Sequence, residues 1–551
     1  MGLVIGNTNY PEVPLRNPGN DAKAIGAELQ KFGFTVSLQL NAGRTQMVNA
    51  IQSFGGDLAK SKGVGLFYYA GHGAQLAWRN YLIPVDVAID SLEDLRDKAV
   101  ELNSLLQGLI AARNPMNVII LDACRDNPFG KKLVTEQKGL SQFDAPPGSL
   151  LAYATSPGNT AADGEGENGL YTENLLRELT VPEAKIEDVF KRVRLAVRRK
   201  SEGRQIPWES TSLEEDFYFQ PPKQVRKLSK EELEQQFEQE LAIWEKIKNS
   251  KELPSLEDYL RRFPSGKFSE LIQFRLDRLL AQQEKPIQVA LVAPAPAVVD
   301  ADRKQQEEFA RAEAELKKQQ QLAQAEAERK RKEGIAQARE RPTQAASAAP
   351  IMLASIPPNP YSKGTARANT DYKIGDSYTY RTLDTLTRME SVRFTETVTE
   401  VTDIEVIFNA GERIIDFLGN DIRSPMENYL TSTQFYSSEY FLGKKWTTRF
   451  RWKHIKGRGK RHMMVKDDVA ELEFKVVARE KITVPAGTFD AFKIVGNGYG
   501  LGSGSNWKYV YWIAPDVARR PIAIEHLLSN PGAKTYQITD RHELVAYRQS
   551  D

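Results

Sequence analysis

The chain has 551 residues, more than one hydrophobic core serves, and its length implies three or four domains. Its 75 Lys and Arg balance 73 Asp and Glu, so no global charge points to nucleic acid or an anionic membrane as partner. A single cysteine excludes an intramolecular disulfide and a cysteine-based zinc site, and no apolar run reaches the roughly 18 residues that span a bilayer.

MGLVIGNTNY opens inside an apolar stretch, with no signal peptide and no lead-in. Upstream residues are therefore expected in the natural protein, and export and a cytoplasmic location both stay open. Residues 1–220 alternate short apolar runs with helical patterns. GLVIG (2–6), TVSLQL (35–40), VGLFYYA (64–70), NVIILDA (117–123) and GSLLAYAT (148–155) predict strands. Most are apolar throughout, as in a sheet covered on both faces. Helices are expected from a start near Asn20-Asp21 and over 44–60, 102–112, 170–179 and 185–201. The fold class that follows is an α/β sandwich with a mainly parallel sheet.

Residues 229–285 predict a helical hairpin, with Trp244, Ile247, Leu256, Tyr259, Leu260 and Phe263 at helical spacing. Residues 286–369 read as a linker. Within it, 301–341 have the Ala, Gln, Glu, Lys and Arg composition of a solvated helix, and RPTQAASAAPIMLASIPPNPYSKG reads as flexible. Residues 370–551 alternate with period two between Gly and Pro turns, which predicts an all-β sandwich or partly open barrel. His454, His462, His526 and His542 are scattered through it without metal-ligand spacing.

The chemistry gathers elsewhere. Cys124 follows the apolar run NVIIL, and His72, the one histidine in the first 453 residues, follows VGLFYYA between Gly71 and Gly73. A lone cysteine more often fills space than reacts. In an α/β sheet, however, functional groups collect beyond the carboxyl ends of the strands. If the two strands are parallel neighbours, a thiol and an imidazole emerge at one edge, as a nucleophile and a base.

LVIGNTNY, the NDA at 20–22, YYAGHG, YLIPVD at 81–86, LDACR and YATSPG at 153–158 resemble the caspase-like cysteine peptidases: caspases, paracaspases and metacaspases. The 52 residues from His72 to Cys124 fit that family's interval of about 50. LDACR departs from the QACRG-like motif of animal caspases and is closer to paracaspases and related bacterial proteins. The resemblance implies a Cys124–His72 dyad, an oxyanion hole from the backbone N–H groups of Gly73 and Cys124, and no cofactor. Asp21 and Asp122 match the acidic residues that line the S1 pocket of paracaspases and metacaspases, so cleavage after Arg, then Lys, is expected. A further acidic position falls on Thr160, with Asp163 nearby as a substitute. Asp86 matches one calcium ligand of metacaspases, but Ala99-Val100 stands where an aspartate pair is expected, so no calcium requirement is expected.

The expected partners are protein or peptide substrates with a basic P1 residue, and no nucleic acid. The loop 126–148, with Lys131, Lys132 and Lys138, matches the connection that caspases cut during maturation. ITVPAGTFDAFKIVG resembles β repeats of bacterial envelope lipoprotein-like domains, which suggests an envelope or protein partner for residues 370–551. A catalytically silent caspase-fold scaffold is the alternative. A hydrolase using carboxylates of the β domain finds no paired motif.

Overall fold

The strands predicted for the first 220 residues assemble into one sheet in the computed structural model, which describes residues 1–123, 139–156, 159, 166–223, 228–283, 359–425, 427–454, 467–530 and 538–550. Along the chain run β1 (Gly2–Gly6), α1 (Pro18–Lys31), β2 (Val36–Leu40), α2 (Arg44–Ser61) and β3 (Val64–Ala70). Next come β4 (Gly73–Leu76), β5 (Arg79–Leu82), α3 (Leu92–Lys98), β6 (Val100–Glu101), α4 (Leu102–Ala112) and β7 (Met116–Asp122). The series closes with β8 (Ser149–Tyr153), α5 (Leu170–Leu179), α6 (Ile186–Lys200) and β9 (Trp208–Thr211). The main sheet has the order β2-β1-β3-β7-β8-β9, parallel except for β9 at its edge. Strands β1 and β8 are buried along their whole length, as the unbroken apolar runs require. Helix α5 packs with α1 and α6, and α2 packs with α4. The mainly parallel α/β sandwich expected from the sequence is the one observed.

A small antiparallel sheet of β4, β5 and β6 leaves the body directly after His72. Sequence periodicity did not reveal it, because four-residue strands are too short to carry a period.

Where a helical hairpin was expected, three helices form: α7 (Lys230–Ile247), α8 (Leu253–Arg262) and α9 (Ser269–Gln283). Trp244 of α7 stacks on Phe268 with ring centroids 5.0 Å apart, and Glu240 accepts a hydrogen bond from Tyr259. The polar run between Ile247 and Leu253 breaks what the sequence suggested was one helix.

Among the described residues, twelve antiparallel strands from Ser377 to Arg548 close into a barrel. The sequence predicted a sandwich or a partly open barrel. Closure follows from strand length and bulges. Asp467–Val484 and Gly487–Gly500 pair along 14 positions with a bulge between Val476 and Ala478, and such strands coil until the sheet edges meet. Ser377–Asp384 therefore pairs with Ile538–Arg548. ITVPAGTFDAFKIVG forms the hairpin of the two long strands.

Residues 1–281 and 359–551 make one compact unit, and 282–358 a second. The helix expected over 301–341 lies outside the described residues. Within the first unit, a barrel turn covers the β9 edge of the main sheet. Phe441 packs edge-on against Trp208 at 5.9 Å, Lys445 Nζ donates to the Leu213 carbonyl at 2.9 Å, and Arg194 bridges Glu209 and Glu439. Residues 359–364, expected to be flexible, instead lie against the N-terminal domain. Their polar side chains find fixed partners there.

Candidate active site

Strands β3 and β7 are parallel neighbours, in register from Val64↔Met116 to Ala70↔Asp122. Cys124 itself lies outside the described residues. The residue before it, Ala123, is fully buried and contacts the start of β4. A Cβ on Gly73 would sit 2.8 Å from the Ala123 carbonyl oxygen and 3.2 Å from its Cβ, so only glycine permits this approach. The Gly71 N–H donates to the Asp122 carbonyl at 3.4 Å. The exits of the two strands thus remain side by side, each leading into one of the two residues singled out by the sequence.

His72 is 3% exposed and held on several sides. Its backbone N–H donates to Tyr10 Oη at 3.0 Å, and its carbonyl accepts from Tyr69 Oη at 2.8 Å. The imidazole lies 4.4 Å from the Tyr10 ring, and Nε2 meets the Val13 carbonyl at 2.7 Å. A carbonyl can only accept, so Nε2 carries the proton and Nδ1 is the basic nitrogen of the neutral ring. Val13, Tyr10 and Tyr69 escaped the sequence reading. Tyr10 and Tyr69 sit inside the family-like runs LVIGNTNY and YYAGHG, but a backbone carbonyl leaves no sequence trace.

Asp21, near the start of α1, is fully buried; its Oδ1 accepts from Asn168 Nδ2 and from the Gly169 N–H, both at 2.9 Å. Asp122, the last residue of β7, is 2% exposed and accepts from Thr172 Oγ1 at 2.9 Å. Thr172 Oγ1 lies 2.6 Å from Tyr68 Oη. The Tyr68 hydroxyl is pushed well above its ordinary range, first by burial and then by the charges of both Asp21 and Asp122. The two aspartates, 101 positions apart in the chain, therefore share one polar cluster under the strand exits.

Asp163 and Thr160 lie outside the described residues, as do Lys131, Lys132 and Lys138 of the expected cleavage loop. Asp86 accepts from the Arg44 N–H at 2.9 Å, where a carboxylate complements the start of α2. Ala99 and Val100 are buried packing residues. In the barrel, His526 stacks on Tyr509 at 4.3 Å and burial lowers its pKa to about 4, so it is neutral near pH 7. His462 falls outside the described residues.

Comparisons with known proteins bear on this same part of the chain. The family model for the caspase domain matches residues 1–218. Mucosa-associated lymphoid tissue lymphoma translocation protein 1 of Homo sapiens is 32% identical over 127 residues, 23% of this chain and 15% of the relative. A protein named as a probable protease from a Desulfuromonadales bacterium is 32% identical over 124 residues, 20% of this chain and 15% of the relative. The shared stretch is thus a small part of either relative. No helix among the described residues is long and apolar enough to cross a membrane. With a sheet that brings the exits of the His72 and Cys124 strands together, and with that family's model covering the same residues, residues 1–218 are a caspase domain, the unit of a family of cysteine peptidases.

Proposed function

We propose that the protein is a cysteine endopeptidase that cleaves after Arg and, less well, after Lys. The observation that carries the dyad is the Ala70↔Asp122 register, which starts the two strand exits level with each other. In this reading the Cys124 thiol gives its proton to His72 Nδ1 and Sγ attacks the scissile carbonyl carbon. The tetrahedral intermediate collapses, the C–N bond breaks, and the leaving amine takes the proton from the imidazolium. Water then gives a proton to His72 as its oxygen attacks the acyl carbon, and the acid and the thiolate are released.

The oxyanion would be held by the N–H groups of Gly73 and Cys124. The β4–β5 ladder supports the first of these. The Ile83 N–H donates to the His72 carbonyl, which makes 72 and 83 the hydrogen-bonded pair. Gly73 and Leu82, the next pair, are then non-hydrogen-bonded, and the Gly73 N–H points away from β5. One such donor contributes about 3 kcal/mol to a transition state. The basic preference rests on Asp21 and Asp122, whose carboxylates suit a guanidinium through charge-assisted bonds.

Fluorogenic peptides ending in Arg, Lys or Asp, offered to wild type and Cys124→Ala, test the reading. Turnover of the Arg peptide, weaker turnover of the Lys peptide and none by Cys124→Ala are expected. A preference for Asp would overturn the specificity, and absence of turnover by wild type would leave the silent scaffold.

A further inference from the structure

Residues 359–367, more than 230 positions beyond Cys124, form a strap along residues 140–146, which lead into β8. Asn359 Nδ2 donates to the Gln142 carbonyl at 2.8 Å and to Ser141 Oγ at 3.2 Å. The Tyr361 ring stacks on Phe143 at 4.8 Å, and the Tyr361 carbonyl accepts from the Asp144 N–H at 3.0 Å. Both Asp144 oxygens are taken up: Oδ1 by Ser362 Oγ at 2.8 Å and Oδ2 by the Lys363 N–H at 2.7 Å. Gln142 Nε2 donates to Thr365 Oγ1 at 2.8 Å. The strap then runs into the strand Ala366–Arg367, which pairs with Glu439–Tyr440 next to the turn covering β9.

The gripped segment in turn grips the site. Leu140, fully buried, has Cδ2 within 3.1 Å of where a Gly73 Cβ would lie. Asn80 of β5 is locked to Ser141 in both directions, accepting from its N–H at 2.6 Å and donating to its carbonyl at 2.8 Å. β5 pairs with β4, the strand that begins directly after His72. Without the strap, Asp144 would lose both of these donors, and burial already holds its carboxyl above the usual range. Such a group would draw the segment toward water and away from Asn80 and Gly73.

We propose that Asn359, Tyr361 and Ser362 are positioning residues for the caspase-domain site: the C-terminal half of the chain supplies part of the support for the Gly73 backbone beside His72. This inference rests on the peptidase reading for its activity readout but not for its other measurement. Cys124 is the only cysteine, so iodoacetamide reports on one thiol whether or not the protein cleaves peptides.

The experiment takes full-length wild type, Tyr361→Ala, Asn359→Ala with Ser362→Ala, and the conservative Tyr361→Phe. Cys124 alkylation is followed against pH, and kcat and KM are measured separately on the Arg peptide. The first two variants are expected to shift the alkylation profile and to lower kcat about tenfold with KM within twofold, while Tyr361→Phe stays near wild type. If Tyr361→Ala fails to fold, the polar double variant, which leaves the stacked rings in place, decides alone. Alkylation profiles that coincide with wild type in every folded strap variant would overturn the inference. A shifted profile in a protein with no turnover would uphold the strap and remove the peptidase reading.

Discussion

His72 shows how one side chain is prepared by its surroundings. The Val13 carbonyl fixes which nitrogen holds the proton, and Tyr10 and Tyr69 fix the backbone on either side. The aspartates are prepared differently. Asp122 ends the strand that leads to Cys124 and accepts from Thr172, whereas Asp21 ties down residues 168 and 169. Asp122→Asn is therefore expected to cut kcat/KM for Arg peptides by 10- to 100-fold, the loss of a charge-assisted bond of about 1.5–3 kcal/mol. Asp21→Asn should cut it less and lower the melting temperature more, since a neutral amide oxygen would accept the two buried N–H groups without the charge that strengthens both bonds. Steady-state kinetics and thermal unfolding of the two variants check this. Equal kinetic losses would remove the special place given to Asp122.

At the scale of elements, the joint between β9 and the barrel turn is tight enough to measure. Gly443 has φ +90°, and a Cβ there would lie 2.4 Å from the Thr211 carbonyl oxygen. Gly443→Ala should cost about 1–3 kcal/mol, through left-handed backbone and overpacking together. Gly56→Ala, inside α2 with nothing within 4 Å of the added methyl, is the control and should raise stability by up to about 1 kcal/mol. Denaturant midpoints would show it, and an unchanged midpoint for Gly443→Ala would mean that the joint gives way freely. This joint was not legible in the sequence. The long apolar runs 64–70 and 117–123 announced β3 and β7 to within a residue, because burial on both faces leaves an unbroken signature. His72 and Cys124 stood out by their scarcity. The β4–β6 sheet, β9, the Val13 carbonyl and the strap were silent, because each is short or acts through backbone, and their partners are distant in the chain.

For the whole molecule, β7 and β8 are neighbours in the sheet, with the expected cleavage loop between them in sequence. If that loop is cut after Lys131, Lys132 or Lys138, the pieces have little freedom to part. One carries β1–β7 with α1–α4, and the other carries β8, β9, α5–α9 and the barrel, joined through the core of a parallel sheet. Incubated wild type is expected to give two fragments by intact mass that still elute together from a sizing column, while Cys124→Ala stays whole. The same fragments from Cys124→Ala would assign the cut to another protease, and an uncut wild type with full activity would remove the maturation step.

The covered end of the main sheet carries a practical consequence. β9 meets β8 on one side and the Phe441–Lys445 turn near its other. A recombinant fragment stopping at residue 218 would present that ladder of amide and carbonyl groups to solvent, flanked by the indole of Trp208. Such an edge recruits other chains, so the excised fragment should be prone to self-association and poor solubility. What a bench worker would measure on it would be the behaviour of a sticky β-strand as much as that of an enzyme.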